Sequence, residues 1–304
     1  MSRVGPARTG LAPGRRAPAW SLAVTAMLSV QLGAALSVGL FPAVGAAGTA
    51  WLRLVAGAVI LLAIARPRPS DVPRAVVPAL VGLGVATAVM TVAFLAALQR
   101  IPLGTTVAIE FLGPLTVAAA RAHERRMLAW PVMALAGVLL LTRPWQGHVD
   151  VLGVAFAALA ACGWGVYILL TQHVGGHVAG VKGLALTIPI AALASTAVGL
   201  PQAAAGWSWS ILAAAFGLAL LMPVLPFSLE MLALRRLTTT AFGTLMALEP
   251  AIAVTMGAIL LHQTPNLAQA LGAALVVTAG IGAERRGHRH RENQLLGATE
   301  LNAA

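Results

Sequence analysis

Three carboxylic acids lie inside long apolar stretches of this sequence, where no water can solvate a charge. They are Glu110, Glu230 and Glu249, out of nine acidic residues in a chain of 304. A carboxylate at bilayer depth costs on the order of 3 kcal/mol on insertion scales. Glu249 is followed directly by Pro250, and an interior proline costs about 3 kcal/mol because it removes a helix hydrogen bond. Side chains with such costs are candidates for function.

A proline also follows Glu110, at position 114. Proline has no N–H, so Pro114 leaves the carbonyl oxygen of Glu110 free and Pro250 leaves that of Met246 free. Acids beside free carbonyl oxygens can bind a cation, an ammonium group or a proton. In the alternative interpretation, each acid is protonated and bonded to a neighbouring helix, and each proline only kinks its helix.

The composition excludes a soluble globular protein. Apolar residues make up 59% of the chain and charged residues 10%, against about 45 to 50% and about 25% in soluble domains. Apolar runs of about 20 residues, the length that spans a bilayer as a helix, recur along the chain. Period-two alternation, typical of a membrane barrel, is absent. The sequence therefore predicts an all-α membrane protein with ten spans, at 18–40, 43–65, 73–98, 102–120, 128–142, 151–171, 180–200, 208–233, 238–261 and 264–283.

The basic residues predict the orientation. They concentrate on one side of the predicted spans, in residues 3–16, 66–74, 121–126, 182, 235–236 and 285–291. The opposite loops hold only Arg100 and Arg143, so the positive-inside rule places both termini in the cytoplasm. Residues 1–17 are predicted to be a disordered tail and residues 286–304 a second cytoplasmic tail. Topology explains the net charge of +11 better than nucleic-acid binding, so no nucleic-acid partner is expected.

An internal repeat relates the two halves. An offset of 136 residues superposes Gly113-Pro114 on Glu249-Pro250, and the fourth span on the ninth. The chain is therefore predicted to contain two five-helix repeats, 18–145 and 150–285. Because five is odd, the second repeat must enter the membrane in the opposite sense. Inverted repeats are typical of secondary transporters that bind substrate near the midplane.

The repeat also relates two of the acids. Glu110 lies three residues before the position that matches Glu249, which is about one helical turn. We therefore expect both carboxyls to point into one midplane cavity. Thr106 precedes Glu110 by four residues on the same helix face, so it is a candidate cavity residue too.

Other polar residues within the spans leave two interpretations open. Arg53, inside the second span, could bind a substrate carboxylate or neutralise one of the acids. Glu230 lies near the cytoplasmic end of its span, where an ion pair with Arg235 or Arg236 is the favoured interpretation. For Gln31, Trp164 and Tyr167, helix-packing contacts compete with a place in the cavity.

The missing motifs narrow the function classes. The sequence has no phosphate-binding loop of the type G-x-x-x-x-G-K-[ST], no H-E-x-x-H and no G-x-S-x-G. Its single cysteine, Cys162, has no disulfide partner and no metal-ligand spacing around it. We therefore expect a secondary transporter rather than an enzyme, with no metal and no cofactor.

Several motifs carry a family resemblance. They are the stretch from Gln31 to Leu40-Phe41-Pro42, PLGTTVAIEFLGPL (102–115), Cys162 to Gln172, LPFSLEMLALRRL (225–237) and AFGTLMALEPAIA (241–253). Over residues 18–283 the chain resembles the drug/metabolite transporter superfamily, with two EamA-type halves, and within it the bacterial threonine/homoserine exporters. The resemblance implies export of neutral amino acids across the bacterial cytoplasmic (inner) membrane in exchange for protons. It also implies roles for Glu110, Glu230 and Glu249, which stand inside matching motifs.

The sequence departs from the family pattern at two places. Span nine ends in Leu261-His262-Gln263 where such repeats usually carry Gly-Glu, so no acid can act there. After Gln31 an additional basic residue is absent, so the substrate can differ. The alternatives to an amino-acid exporter are a permease for another small metabolite or drug, and a membrane scaffold or enzyme that transports nothing. The expected partners are the substrate, protons and the lipid bilayer, with monomer and homodimer both open.

Overall fold

The computed structural model describes residues 18–68, 72–121, 125–143, 145, 149–175, 177–178, 180–234, 236–237 and 239–303. Every regular element in this part of the chain is helical, which confirms the predicted all-α class. The predicted tail 1–17 lies outside the described residues. The helices are α1 (Ala19–Ser37), α2 (Phe41–Ala65), α3 (Val77–Leu98), α4 (Leu103–Glu110), α5 (Leu112–Arg121), α6 (Ala129–Thr142), α7 (Val151–Gly175), α8 (Val181–Ala205), α9 (Trp209–Ala219), α10 (Leu225–Leu234), α11 (Thr239–Met246), α12 (Glu249–Leu260) and α13 (Leu267–Ala303).

Eight helical segments of the described chain are long and apolar enough to cross a membrane, so this is a multi-pass membrane protein. Seven of them coincide with predicted spans. The remaining segment, Trp20–Ala65 at the start of the described chain, is 46 residues long and contains the first two predicted spans. The fifth predicted span corresponds to a shorter apolar helix, Arg126–Thr142.

The fourth and ninth predicted spans are each broken ahead of the proline that the repeat superposes, Pro114 and Pro250. The fourth predicted span divides at Phe111, between α4 and α5, and the ninth divides between α11 and α12. Pro114 and Pro250 therefore lie in the first turn of the helix that follows each break, where a missing N–H removes no helix hydrogen bond. The eighth predicted span, 208–233, is also interrupted, by a π-helical turn at Leu220–Val224.

The long segment Trp20–Ala65 is interrupted at Gly45. Its φ of 64° and ψ of 173° are not helical, and a positive φ is accessible to glycine without strain. Just after this break, the Oε1 atom of Gln202, at the end of α8, accepts hydrogen bonds from the N–H groups of Ala47 (3.1 Å) and Gly48 (3.3 Å). The break thus exposes backbone donors that a distant side chain satisfies.

A second glutamine caps another helix in the same way. Oε1 of Gln263, just beyond α12, accepts a hydrogen bond of 3.0 Å from the N–H of Leu103, the first residue of α4. Each glutamine satisfies the start of a helix more than 150 residues away in sequence. Together they join helices of the first half of the chain to helices of the second half.

The helices pack mainly across the two halves. α2 lies along α8, α3 along α7, α6 along α13, α1 along α10, and α4 along α12. Small residues permit these approaches: a Cβ atom on either Gly137 or Gly272 would lie 2.6 Å from the carbonyl oxygen of the other. Close backbone packing of this kind holds membrane helices together, since lipid provides no hydrophobic driving force between them.

Candidate functional site

A cavity of about 450 Å³ lies among helices of both halves, and both broken spans contribute to its wall. Its size is within the usual range for small-molecule sites. Most of the lining is apolar, from residues such as Leu83, Met90, Ile188 and Phe227. The polar, charged and amphipathic aromatic lining residues are Gln31, Arg53, Thr87, Thr91, Glu110, Trp164, Tyr167, Thr171, Thr187, Glu230 and Glu249.

Seven of the eight side chains singled out in the sequence line this one cavity. They come from six helices and are Gln31, Arg53, Glu110, Trp164, Tyr167, Glu230 and Glu249. Thr106 is the exception and corrects the sequence-based expectation. It is fully buried, and its hydroxyl donates a hydrogen bond of 3.1 Å to the carbonyl oxygen of Pro102 within its own helix.

Glu249 and Gln31 form a buried pair with open acceptor atoms. Their exposed fractions are 6% and 1%, and Nε2 of Gln31 donates to Oε1 of Glu249 at 3.3 Å. The other two oxygens, Oε2 of Glu249 and Oε1 of Gln31, have no hydrogen-bond partner among the described residues. A buried polar atom left unpaired costs about 1 to 3 kcal/mol. A donor group bound in the cavity would remove this cost.

Arg53 supplies the positive charge of the cavity wall. It is only 3% exposed, and its Nη1 donates to Oγ of Ser37 at 3.5 Å. Ser37 in turn donates to the carbonyl oxygen of Gly33 at 2.6 Å, which fixes its hydroxyl. Glu110 interacts electrostatically with both Arg53 and Glu249. Most of the guanidinium's five N–H donors remain available to an anionic group in the cavity.

Glu230, on α10, belongs to the cavity as well. It is half-buried, lines the wall together with Tyr167 and Thr171, and interacts electrostatically with Glu249. Arg235, one of the two partners that the sequence favoured for it, lies outside the described residues. All three acids of the apolar spans are thus brought to one cavity.

Trp164 backs the break in the fourth span. Its ring packs edge to face on Phe111, with centroids 6.2 Å apart and an interplanar angle of 66°. Phe111 is the residue between α4 and α5, so α7 contacts the chain where the helix is interrupted. Such aromatic contacts contribute about 0.5 to 1.5 kcal/mol beyond burial.

Sequence inspection missed the threonines of the wall. Thr87 and Thr91 are four residues apart on α3, a spacing that places both on one helix face, and both line the cavity with Thr171 and Thr187. That spacing was a usable signal. In the part of the chain that the structure describes, no group of three or more His, Cys, Asp or Glu side chains could hold a metal ion. Cys162 is exposed there, without a disulfide partner.

Comparisons with known proteins agree with a transport function. Residues 151–282 match the EamA-like transporter family. Threonine/homoserine exporter RhtA of Escherichia coli (strain K12) is 38% identical over 274 residues, covering 88% of this chain and 92% of the relative. The exporter of the same name from Salmonella typhimurium (strain LT2) is 39% identical over the same shares. These relatives are named as exporters, not as enzymes.

A solved crystal structure shares the fold. It is 21% identical in sequence and superposes with a TM-score of 0.60, covering 90% of this chain and 99% of the solved chain. At that identity the likeness concerns the fold alone. The similarity to the two exporters extends over most of their length and most of this chain, and the helices converge on one buried polar cavity. The chain belongs to the EamA-like transporter family.

Proposed function

We propose that this protein exports small neutral amino acids, threonine and homoserine first, across the bacterial cytoplasmic membrane in exchange for protons. The observation that carries the proposal is the pairing, in one cavity, of open buried acceptors on Gln31 and Glu249 with the buried guanidinium of Arg53. A zwitterion brings an ammonium donor and a carboxylate acceptor to complement them. The names of the two similar exporters support the choice of substrate.

Ten membrane crossings fit the helices better than eight. At 1.5 Å per residue, the 46 residues of Trp20–Ala65 would extend about 69 Å, more than twice a hydrocarbon core of about 30 Å. The non-helical residue Gly45 divides the segment into two pieces of spanning length. Helix Arg126–Thr142 would extend about 25 Å, and spanning helices as short as about 17 residues occur. These lengths support counting it as a span.

The packing pattern supports two inverted five-helix repeats, 18–145 and 150–285. If each span exchanges places with its counterpart in the other half, the pairs α2 with α8 and α6 with α13 map onto themselves, and the contact of α4 with α12 joins two counterpart spans, the fourth and the ninth. The pair α1 with α10 becomes the pair α7 with α3, which is also in contact. The family match at residues 151–282 coincides with the second repeat. Such a pseudo-symmetry is the basis of alternating access.

The position of the cavity supports loading from the cytoplasm. Its wall reaches Val174, Val178 and Gly180 at the junction of α7 and α8, which the positive-inside rule puts on the same side as the termini. The glutamine caps of Gln202 and Gln263 lie at the opposite helix ends. This arrangement fits a conformation open to the cytoplasm and closed outside.

The exchange is then a competition for buried carboxyl groups. Burial favours the neutral form of an acid, so a midplane glutamate is suited to exchange a proton for a cationic group. A substrate ammonium that loads from the cytoplasm displaces that proton. After the protein opens outward, protonation from outside releases the amino acid.

A flux assay tests the proposal. Purified protein in proteoliposomes should exchange labelled threonine for unlabelled threonine, and a pH gradient at zero membrane potential should drive accumulation. One unit of pH is worth about 1.4 kcal/mol per proton, so a one-for-one exchange gives about a tenfold gradient of threonine. Empty liposomes and Glu110→Gln/Glu249→Gln protein serve as controls. Absence of substrate-dependent flux in the wild type would instead favour a scaffold or an enzyme.

A second candidate, a permease for larger apolar metabolites or drugs, is favoured by the size and lining of the cavity. At roughly 30 Å³ per water molecule, a cavity of about 450 Å³ has room for more atoms than threonine has. Methionine side chains, here Met90, Met222 and Met246, adapt readily to ligands of different shape. In the same proteoliposomes, methionine, leucine and phenylalanine should then compete with threonine at least as well as serine does.

A further inference from the structure

The proposed function leaves open which of the cavity's acids takes which end of the substrate. Resting on that function, we propose that Gln31 and Glu249 together bind the substrate's ammonium group, at the place where the proton also binds. Arg53, oriented by Ser37, binds the carboxylate on the side of Glu110. Gln31 is then a specificity-determining residue, and Glu249 is the carboxyl at which substrate and proton exclude each other.

The open acceptors locate the ammonium. An ammonium group has three donors and no acceptor, whereas a hydroxyl has one donor. Oε2 of Glu249 and Oε1 of Gln31 are two buried acceptors without a partner among the described residues. Their side chains are joined by the 3.3 Å hydrogen bond, so the two open oxygens belong to one small site. An ammonium group can donate to both oxygens from one atom, whereas a single hydroxyl can donate to only one of them.

The hydrogen bond also determines which oxygen is offered. Because Nε2 of Gln31 donates a hydrogen bond to Oε1 of Glu249, the other carboxyl oxygen, Oε2, is the one left for a ligand. The amide of Gln31 does not titrate, so its Oε1 stays an acceptor whether or not Glu249 carries a proton. Gln31 lies on α1 and Glu249 on α12, and these helices are in contact. A bound ammonium would therefore bridge the two halves of the chain.

Arg53 accounts for the other end of the substrate. The Ser37 hydroxyl holds one of its nitrogens at 3.5 Å, which leaves the rest of the planar fork for a carboxylate. Glu110 interacts electrostatically with Arg53 and so offsets part of the guanidinium charge when no substrate is bound. The substrate is thus oriented with its ammonium at α1 and α12 and its carboxylate at α2.

Substrate and proton exchange because both bind at Oε2 of Glu249. A proton on Oε2 of Glu249 turns the acceptor into a donor, and an ammonium group cannot then bind there. Loading of the ammonium releases one proton from Oε2, and its departure requires one proton to return. Glu110 does not compete with the ammonium in this scheme, so its substitution affects the carboxylate end.

Three ligands separate the two ends in one assay. They are threonine, its amino alcohol, in which the carboxylate is reduced to a hydroxymethyl group, and its 2-hydroxy analogue, in which a hydroxyl replaces the ammonium. Displacement of labelled threonine from purified protein is measured for the wild type, Glu249→Gln, Gln31→Met and Arg53→Lys. Gln99→Met, an exposed glutamine at the end of α3, is the matched control. Thermal unfolding verifies that each variant is folded, and Gln31→Leu replaces any Gln31→Met protein that is not.

The expected result is a split between ligands. Glu249→Gln should bind threonine on the order of a hundredfold more weakly and Gln31→Met about tenfold more weakly, and both should lose much of the preference for threonine over the 2-hydroxy analogue. Arg53→Lys should instead lose preference over the amino alcohol. If Glu249→Gln and Gln31→Met kept the wild-type preference for the ammonium ligand while wild-type protein exchanged threonine, this assignment would be overturned and the proposed function would stand. A wild type that bound no neutral amino acid would overturn both.

Discussion

The two broken helices carry their acids on opposite sides of the break. Glu110 is the last residue of α4, before the break in the fourth predicted span, and Glu249 is the first residue of α12, after the break in the ninth. Both side chains nevertheless line the same cavity. The two repeats therefore share a broken helix but differ in the position of its acid.

Steric room explains the difference. The residue that matches Glu249 in the fourth span is Gly113, and a Cβ atom there would overlap the backbone carbonyl of Ala161 on α7. No side chain fits at this position, so the fourth span cannot carry an acid where the ninth span has Glu249. The close approach of α5 to α7 therefore explains why the acid of the fourth span is not at position 113.

The two positions differ in electrostatics as well. The start of a helix stabilises negative charge and its end destabilises it, by about 0.3 to 1 kcal/mol at exposed sites and up to about 2 in partly buried ones. Glu249 lies at a helix start, and Glu110 lies at a helix end and interacts with Arg53. The comparison teaches that two acids of one cavity have different surroundings: Glu249 has a helix start and the Gln31 amide, and Glu110 has a helix end and the Arg53 guanidinium. They are therefore not interchangeable.

The largest effect is expected for Arg53→Gln. Loss of charge-assisted hydrogen bonds to the substrate carboxylate should weaken threonine binding by about 3 kcal/mol, or on the order of a hundredfold. Isothermal titration of purified protein measures it. Arg53→Gln combined with Glu110→Gln should lose less than the sum of the single changes, because the two groups interact, whereas the combination with Glu249→Gln should be close to additive. Equal coupling to both acids would contradict the division of roles.

Gly113→Ala tests the steric explanation. The added methyl group must displace the backbone of α7, and overpacking of this kind costs about 1 to 3 kcal/mol. Thermal unfolding in detergent should show the loss. The matched control is Gly217→Ala on α9, where a Cβ meets nothing within 4 Å and where alanine should be neutral or stabilising by up to about 1 kcal/mol. If the Gly113→Ala protein were as stable as the control, the packing of α5 on α7 would not explain the location of Glu110.

Gln263→Ala tests whether the ninth span supports the fourth. It removes the acceptor for the N–H of Leu103 at the start of α4, and loss of a helix cap costs about 1 kcal/mol. Hydrogen–deuterium exchange should accelerate at the start of α4 and not in α2. Gln202→Ala, which removes the cap after Gly45, should give the reverse pattern. If hydrogen–deuterium exchange changed in the same way in both variants, neither glutamine would specifically stabilise the helix start that it caps.

Periodic and compositional features were predictable from the sequence. Apolar length located the helices within a few residues, because a spanning helix must cover the hydrocarbon core whatever its neighbours are. Pro114 and Pro250, which the offset of 136 residues superposes, indicated where the two helices are interrupted, since proline disfavours a continuous helix ahead of it. That Glu110 and Glu249 share a cavity followed from the same offset. Their roles in transport stay predictions.

Features that depend on contacts between distant residues were not predictable. Gln263 and Leu103 are 160 positions apart, and nothing local to either residue indicates that one caps the other. Thr106 was misplaced because helical spacing gives the face of a residue but does not show whether neighbouring helices cover it, and Thr106 is fully buried. Its hydroxyl turns back to the carbonyl of Pro102, a local bond that threonine often forms in helices. The room around Gly113 likewise depends on α7, which the chain reaches only later.

The smallest effect concerns Asp150, just ahead of α7. Its carboxylate accepts a 2.7 Å hydrogen bond from the N–H of Gly153 and a 3.0 Å hydrogen bond in an ion pair with Arg100, which precedes α4. The backbone N–H of Gly153, aided by Arg100, lowers the pKa of Asp150 below its ordinary 3.8. A lowered pKa in the folded state means that the ionised form stabilises the fold at pH values above 3.8, and that this contribution is lost as the pH falls through the folded-state value.

Comparison of variants at this residue isolates the charge. Asp150→Asn keeps an oxygen that can accept from Gly153 but loses the ion pair, and Asp150→Ala loses both. The side chains of Arg100 and Asp150 are 40% and 33% exposed, so only a slight change in melting temperature is expected for Asp150→Asn. The difference between wild type and Asp150→Asn should be present at pH 7 and shrink in melting curves recorded toward pH 3. A difference that grew on acidification would mean that Asp150 is not stabilised as a carboxylate.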